Sequence, residues 1–315
     1  MLSGDTSCRV GVDENGLGAR LGPLIVTAVL AEVTADGGRL LERRLRGKIN
    51  RDLGDSKRLV SHANVALGEA WARVLTGDCW DDPQALFEHL SLESRESLRK
   101  ECAPQVQSQC WGVSGEAFES SAELRARISG HVKKLRERGV VVTKVQVASV
   151  CTLRLNQARR TGLNRFVSDL HAMEALLLSL RQHAGRDIVA VCGKVGGMSD
   201  YERFFGPLSG RLRSAVVVSR KQSSYYFPGI GEINFVMDAD ARDSLVMLAS
   251  LVGKYVRELM MARISRFHGS ADPDAREVSG YHDPRTSDWV TEIRARRPSL
   301  RVLDDCFERA RDTLS

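Results

Sequence analysis

A chain of 315 residues with 43% hydrophobic and 27% charged side chains has ordinary globular composition, which excludes a disordered or fibrous protein and leaves room for one large domain, or a modest one with an appendage. Lys and Arg exceed Asp and Glu by six, 46 against 40, and the pI is near 9.0; so mild an excess favours a polyanionic partner only where it is gathered on one face. The longest apolar runs, such as Pro23 to Ala31, fall short of the ~20 residues a bilayer requires, and Met1 to Thr6 lacks the basic start and apolar core of a secretory signal, so a cytoplasmic protein without membrane contact is expected.

Seven cysteines (Cys8, Cys79, Cys102, Cys110, Cys151, Cys192, Cys306) are scattered without CxxC spacing, which fits reduced thiols better than a disulfide framework. Cys102 and Cys110 with His89 upstream have a spacing that common structural zinc sites do not use. Basic residues gather in three groups: Arg125, Arg127, Lys133, Lys134, Arg136 and Arg138; then Arg154, Arg159, Arg160 and Arg165; then Arg294, Arg296, Arg297 and Arg301. Taken singly, each reads first as a solvated helix face.

Along the chain, Cys8 to Val12 and Pro23 to Leu30 are β-rich runs joined by a turn containing Gly16, Gly18 and Gly22, which predicts a hairpin-like pair at the start of a sheet. Asn64 to Leu75 has helical apolar spacing, and Asp78 to Ser121 reads as an irregular, partly helical insertion. Ser121 to Arg138 predicts a basic amphipathic helix, released at Gly139 into a strand over Val140 to Val150. Within His171 to Arg181, Met173, Leu176, Leu177 and Leu180 share one helical face, while Ile188 to Val191 is a short apolar run suited to a sheet interior. Further strands are expected at Ser214 to Ser219 and Ile233 to Met237. Ser244 to Ile264 carries Leu245, Leu248, Val252, Tyr255 and Leu259 along one side of a long helix, and Asp283-Pro284 has the form of an N-cap opening a shorter helix through Arg294. Strands alternating with helices around an initial hairpin predict a mixed α/β domain.

The chemistry concentrates at Gly11-Val12-Asp13-Glu14-Asn15-Gly16-Leu17-Gly18, where two adjacent carboxylates end a strand before a glycine turn. Neighbouring strand residues point to opposite faces, so both acids serve one site only if the strand ends or distorts there. The plainer alternative is a turn with both acids facing water.

Asp13-Glu14-Asn15-Gly16-Leu17-Gly18 with Gly22-Pro23 leading into an apolar strand resembles the opening motif of type 2 ribonucleases H (ribonuclease HII), DEAGRG with GP at the same offset. Asp55-Ser56-Lys57-Arg58-Leu59 is similar to that family's DSK-L segment, and Leu155-Asn156 followed by Ala172-Met173 to its LN…AM stretch. Asp238-Ala239-Asp240, followed by Ala249-Ser250 and Lys254, resembles its K(A/G)D…AAS…AK segment, and Gly280-Tyr281-His282-Asp283-Pro284-Arg285-Thr286 its GYPSDPRT loop. The matches fall in the family's order over roughly residues 9 to 290, and an ordered set gains force from its context.

The resemblance implies a ribonuclease H-like mixed sheet flanked by helices, with a catalytic domain over 1–265 and a C-terminal helical extension over 266–315 that carries the Gly-Tyr loop. It implies four acidic residues around two Mg²⁺ or Mn²⁺ ions, cleaving the RNA strand of an RNA/DNA hybrid or at a ribonucleotide embedded in DNA. Asp13, Glu14 and Asp240 match three of those positions as catalytic metal ligands, and hard cations call for such carboxylate oxygens. At the fourth place the sequence offers Cys192, a poor Mg²⁺ ligand, so Asp238 or Asp200 is the expected compensation. For ribose recognition the resemblance implies Gly16, Leu17, Gly18 and Tyr281, with Lys57 and Lys254 as phosphate contacts. Two alternatives stay open: a catalytically impaired hybrid-binding protein, motivated by Cys192, and a nuclease of the same fold acting on DNA.

Overall fold

Seven strands form one mixed sheet in the order β3-β2-β1-β4-β7-β6-β5. They are β1 (Ser7–Asn15), β2 (Leu24–Val33), β3 (Val140–Val150), β4 (Ile188–Gly193), β5 (Ser214–Val218), β6 (Gln222–Phe227) and β7 (Gly231–Val236). The helices are α1 (Ala35–Leu41), α2 (Ile49–Asp52), α3 (Ser56–Leu59), α4 (Ala66–Leu75), α5 (Pro83–Leu90), α6 (Arg95–Lys100), α7 (Ala122–Glu137), α8 (Thr152–Arg160), α9 (Arg165–Ala184), α10 (Ser244–Gly269), α11 (Pro284–Ile293) and α12 (Asp304–Phe307). This computed structural model describes residues 5–43, 47–62, 64–100, 102, 108–112, 114–195, 198–269 and 278–310. Gly196 and Gly197, which follow β4, lie outside the described residues, as do parts of the 78–121 segment.

β1, β2 and β3 run as an antiparallel meander, β4 joins β1 in parallel, and β7 joins β4 in parallel before β6 and β5 return antiparallel. β2 is apolar at almost every position because it is covered on both faces: Leu24, Val26, Ala28 and Leu30 pack towards α9, and Ile25, Val29, Ala31 and Val33 towards α10. Burying such a side chain contributes about 1.5–3 kcal/mol, so this strand fixes the sheet between its two helical layers.

The close approach of α10 positions the chemistry. A Cβ on Gly11 would lie 2.3 Å from the Leu245 carbonyl carbon, and one on Gly253 would lie 2.6 Å from Asn15 Nδ2. Only glycine lets this helix lie flat on β1, where it brings Ser250 against the acidic end of the strand.

The expected strands and long helices are all present, and Ser121, Asn164 and Asp283 cap their helices through their side chains. β6 and α8 were not anticipated. The expected insertion is a packed layer, with Leu86, Phe87, Leu90, Leu98 and Trp111 in the core on the α10 side. The division expected at residue 265 falls inside α10, and Trp289, Val290, Ile293 and Phe307 of the C-terminal segment join the same apolar cluster. Among the described residues, no helix is long and apolar enough to cross a membrane.

Candidate active site

The β1–β4 pairing ends at Val12–Cys192, so Asp13 and Glu14 lie where β1 loses that neighbour. Strand alternation sends their side chains to opposite faces, yet both bend to one place: a Cβ on Gly193 would lie 3.3 Å from Asp13 Oδ1 and 3.3 Å from Glu14 Oε2. The condition for two adjacent acids to share a site is met by the end of the strand pairing.

Asp13 is 9% exposed. The Ser250 hydroxyl stands near enough to lower the pKa of Asp13 and lies 2.8 Å from the Ser56 hydroxyl. A serine hydroxyl has one proton to donate, so the order Ser56 to Ser250 to Asp13 satisfies the chain. This relay joins β1, α10 and the Asp55-Ser56-Lys57 segment, whose Asp55 caps α3 by accepting from the Lys57 amide at 3.0 Å.

Asp240 sits on a 3-10 turn after β7 and is half-buried. Burial, the Glu14 charge and the Asp240 charge hold the Asp13 carboxyl well above the usual carboxylate range against the pull of the Ser250 hydroxyl. Glu14 is pushed up to about 7 by burial and by Asp240, with its own backbone amide and Lys57 acting in the other direction. The adjacent Asp13 and Glu14 therefore both feel the charge of Asp240, far away in sequence, and the exposed Lys57 sets a single positive charge against Glu14.

The Cys192 side chain does not face the acids. That side chain is fully buried in the layer under α9 with Val12 and Leu176, because consecutive strand residues alternate faces. Burial first, and Asp169 second, push its thiol far above the usual range. Gly193 is the residue that faces the acids. Neither expected substitute joins them: Asp200 is exposed, caps the Glu202 amide at 3.0 Å and lies 3.5 Å from the Tyr225 hydroxyl. Asp238 is exposed in a left-handed conformation with φ 55°, a turn role that Asp tolerates, and neither acid is among the charges acting on Asp13 or Glu14.

The donor set fits a hard divalent cation. Carboxylate oxygens are the preferred ligands of Mg²⁺ and Mn²⁺, the cradle over Gly193 is open to both acids, and the buried carboxylate of Asp169 has no hydrogen-bond partner for either oxygen. Among the described residues, no three His, Cys, Asp or Glu side chains are drawn together as a ready ligand group; like charges repel one another until a cation offsets them.

The glycine turn is held from behind. Arg309 donates to the carbonyls of Gly16, Leu17 and Gly22, and Arg165 to that of Leu17 at 3.2 Å. Gly280 accepts from the Arg20 and Leu21 amides, both at 2.9 Å, which seats Tyr281 beside the turn. The Tyr281 ring lies under Arg257, whose guanidinium carbon is 4.3 Å from its centroid, with Lys254 at 5.6 Å. Lys254 also pairs with Glu258 at 2.8 Å, so its charge is shared with the fold. Asn156 donates to the Asp305 and Glu308 carbonyls at 2.9 Å and accepts from the Ala310 amide, fixing the segment that carries Arg309. A cleft of about 160 Å³ beside the turn is lined by Arg20, Arg159, Arg165, His282 and Arg309.

Sequence reasoning gave no role to Asp169, Ser250, Arg257 or Arg309. Asp169 had a readable signal: it lies four residues before Met173, an acid on an apolar helix face. Arg309 had none.

The sheet order, with acids at the open end of the first strand, defines an α/β protein of the ribonuclease H-like fold. The chain is similar in structure to Bst-RNase HIII, solved in complex with Mn²⁺, at 13% identity and TM-score 0.47, covering 96% of this chain and 66% of that one. It is also similar to the RNase HII of Archaeoglobus fulgidus, solved in complex with PCNA, at 17% identity and TM-score 0.40 over 98% and 96% of the two chains. A third such structure is Aquifex aeolicus RNase H3, at 13% identity and TM-score 0.45 over 95% and 70%. The chain thus spans just under two thirds of the Bst protein's length. No family model and no curated protein matches the chain in sequence.

Proposed function

We propose that this protein is a metal-dependent endoribonuclease that cleaves the RNA strand of RNA/DNA hybrids, or DNA at embedded ribonucleotides. The observation that carries the reading is the cradle over Gly193, open to both Asp13 and Glu14 and within reach of the Asp240 charge, beside a glycine turn whose Gly16 and Leu17 carbonyls are bonded to Arg309.

Bound Mg²⁺ or Mn²⁺ would supply an activated water and stabilise the leaving oxygen. Asp13, Glu14 and Asp240 hold those ions, and Ser250 orients Asp13. The carbonyl of one residue and the amide of the next point opposite ways across a trans peptide. With the Gly16 and Leu17 carbonyls directed at Arg309, the Leu17 and Gly18 amides face away from it, where they can meet a ribose 2′-hydroxyl. A Cβ on Gly18 would meet nothing within 4 Å, so the strand has space to approach. Tyr281 supplies the flat face beside that sugar. Lys57 contacts a phosphate, and Lys254 offers one only the charge that its pair with Glu258 leaves.

The hybrid-binding alternative was motivated by a thiol in the acidic position, and Cys192 faces away from it. A labelled hybrid incubated with Mg²⁺ and then Mn²⁺ tests the reading, with DNA and RNA duplexes as controls. Cleavage confined to the RNA strand is expected, and its loss by ~10³-fold in Asp13→Asn. A protein that binds the hybrid tightly and cuts it with neither ion would overturn the proposal.

A further inference from the structure

The cleft of about 160 Å³ beside the glycine turn draws its lining from four parts of the chain: Arg20 after the turn, Arg159 on α8, Arg165 at the start of α9, and Arg309 near the C-terminus. The exposed His282 lines it as well, and among the described residues no acid does. Arg309 and Arg165 bond the Gly16 and Leu17 carbonyls, so the cleft lies on the carbonyl side of the turn, away from the Leu17 and Gly18 amides. Those acceptors are neutral, and they fix the two guanidinium groups without cancelling their charge. Arg20 donates from Nε to Glu308 at 2.7 Å and from Nη1 to the Ser287 hydroxyl at 3.2 Å, an ion pair that offsets one cation. Burial first, then the charges of Arg257 and, with Tyr281 opposing, Arg165, push the Arg309 guanidinium down to about 9. The cations therefore crowd one another, and an anion between them would relieve it.

We propose that this cleft binds a phosphate group, with Arg159 and Arg20 as its principal donors, Arg165 and Arg309 as fixed charges behind it and His282 at its mouth. Guanidinium groups arriving from several directions suit a tetrahedral oxyanion, which accepts on every side. Size bounds the ligand: pockets for whole small molecules begin at about 300 Å³, so this one takes a phosphate and leaves any attached base outside. A phosphate of a bound strand and free inorganic phosphate offer the same chemistry. The first source rests on the hybrid reading above and extends the contact beyond the sugar; the second does not depend on it.

The test titrates the full chain with inorganic phosphate in metal chelator at constant ionic strength, followed by calorimetry and by ³¹P line broadening. Saturable binding to one site is expected. Arg159→Glu should weaken it by at least ~10-fold, whereas Arg294→Glu, at the exposed end of α11, should leave it unchanged. Arg159→Gln serves the comparison if the charge reversal lowers the melting temperature. Competition with a labelled hybrid then identifies the source. Displacement of the hybrid by phosphate in the wild type but not in Arg159→Glu would assign the cleft to a strand phosphate, and simultaneous binding would assign it to the free ion. No saturable phosphate binding, or equal losses in Arg159→Glu and Arg294→Glu, would overturn the inference and leave the nuclease reading to its own assay. A chain that binds phosphate in this way and cuts no hybrid would keep the site and lose that reading.

Discussion

The guanidinium of Arg309 closes on the carbonyl of Gly22 through two nitrogens, at 2.9 and 2.7 Å, and its third nitrogen reaches the Gly16 carbonyl. Arg309 is 9% exposed and spends its donors on backbone oxygens. Removing them strands buried carbonyls, so Arg309→Met should cost about 2–4 kcal/mol of stability and weaken hybrid binding. Urea unfolding with a parallel binding titration checks both; an unchanged midpoint would mean that water replaces the guanidinium.

Asp13 is crowded by Glu14 and Asp240 and largely removed from water. In the absence of a cation, Asp13→Asn relieves that repulsion, and the variant should be more stable than the wild type by about 1 kcal/mol in chelator at neutral pH. Added Mn²⁺ should reverse the order. Chemical denaturation under the two conditions reads the crossing, and a variant less stable in both would place a compensating positive charge at Asp13.

Glu174 accepts from the Gly206 and Leu208 amides at 3.1 and 2.7 Å, yet burial raises its carboxyl to about 7. A folded pKa above the unfolded one gives stability that is full below about pH 4.5 and is lost as pH rises through 7. The melting temperature of the wild type relative to Glu174→Gln should therefore fall between pH 5 and 7.5, by the equivalent of about 2 kcal/mol. A wild-type melting temperature that instead rises relative to Glu174→Gln over this range has the wrong sign for this assignment.

Lys57 is exposed and stands close enough to Glu14 to lower its pKa. If it contacts a phosphate, Lys57→Ala should weaken binding of hybrids of every sequence alike and reduce the slope of log affinity against log salt by about 1. Titrations at several KCl concentrations give the slope. An unaltered slope with reduced affinity would assign Lys57 to holding the α3 turn.

Much of this arrangement was legible before any coordinates. Asp13, Glu14 and Asp240 stood out because two acids at a strand end are unusual and because ordered motifs tied them to a distant third. β2 and α10 were legible from their apolar patterns, which burial against a sheet demands. β6 escaped because its Gln222-Ser223-Ser224 start is polar; those serines lie in the sheet interior, and Ser224 bonds to Asn234 at 2.6 Å, a pairing that depends on register. Which of Cys192 and Gly193 faces the acids was not legible, since it depends on where β4 aligns with β1. Asp169 was visible as an acid on an apolar stripe, whereas Arg309 acts through a contact 287 residues away in sequence, and no local pattern marks it.

The tie from Asn156 to the 305–310 segment, and from there to the first glycine turn, has a bearing on biosynthesis. Chains are made from the N-terminus and begin to fold as they emerge, so the meander can assemble early while the pocket's rear wall is still being translated. A product cut short before Arg309 would own every acid and still lack the brace that shapes the sugar-facing loop. A chain stopped before Arg309 should thus keep the acids yet discriminate poorly between sugars, so that the shape of the first turn is settled only once a residue 287 positions later has been made.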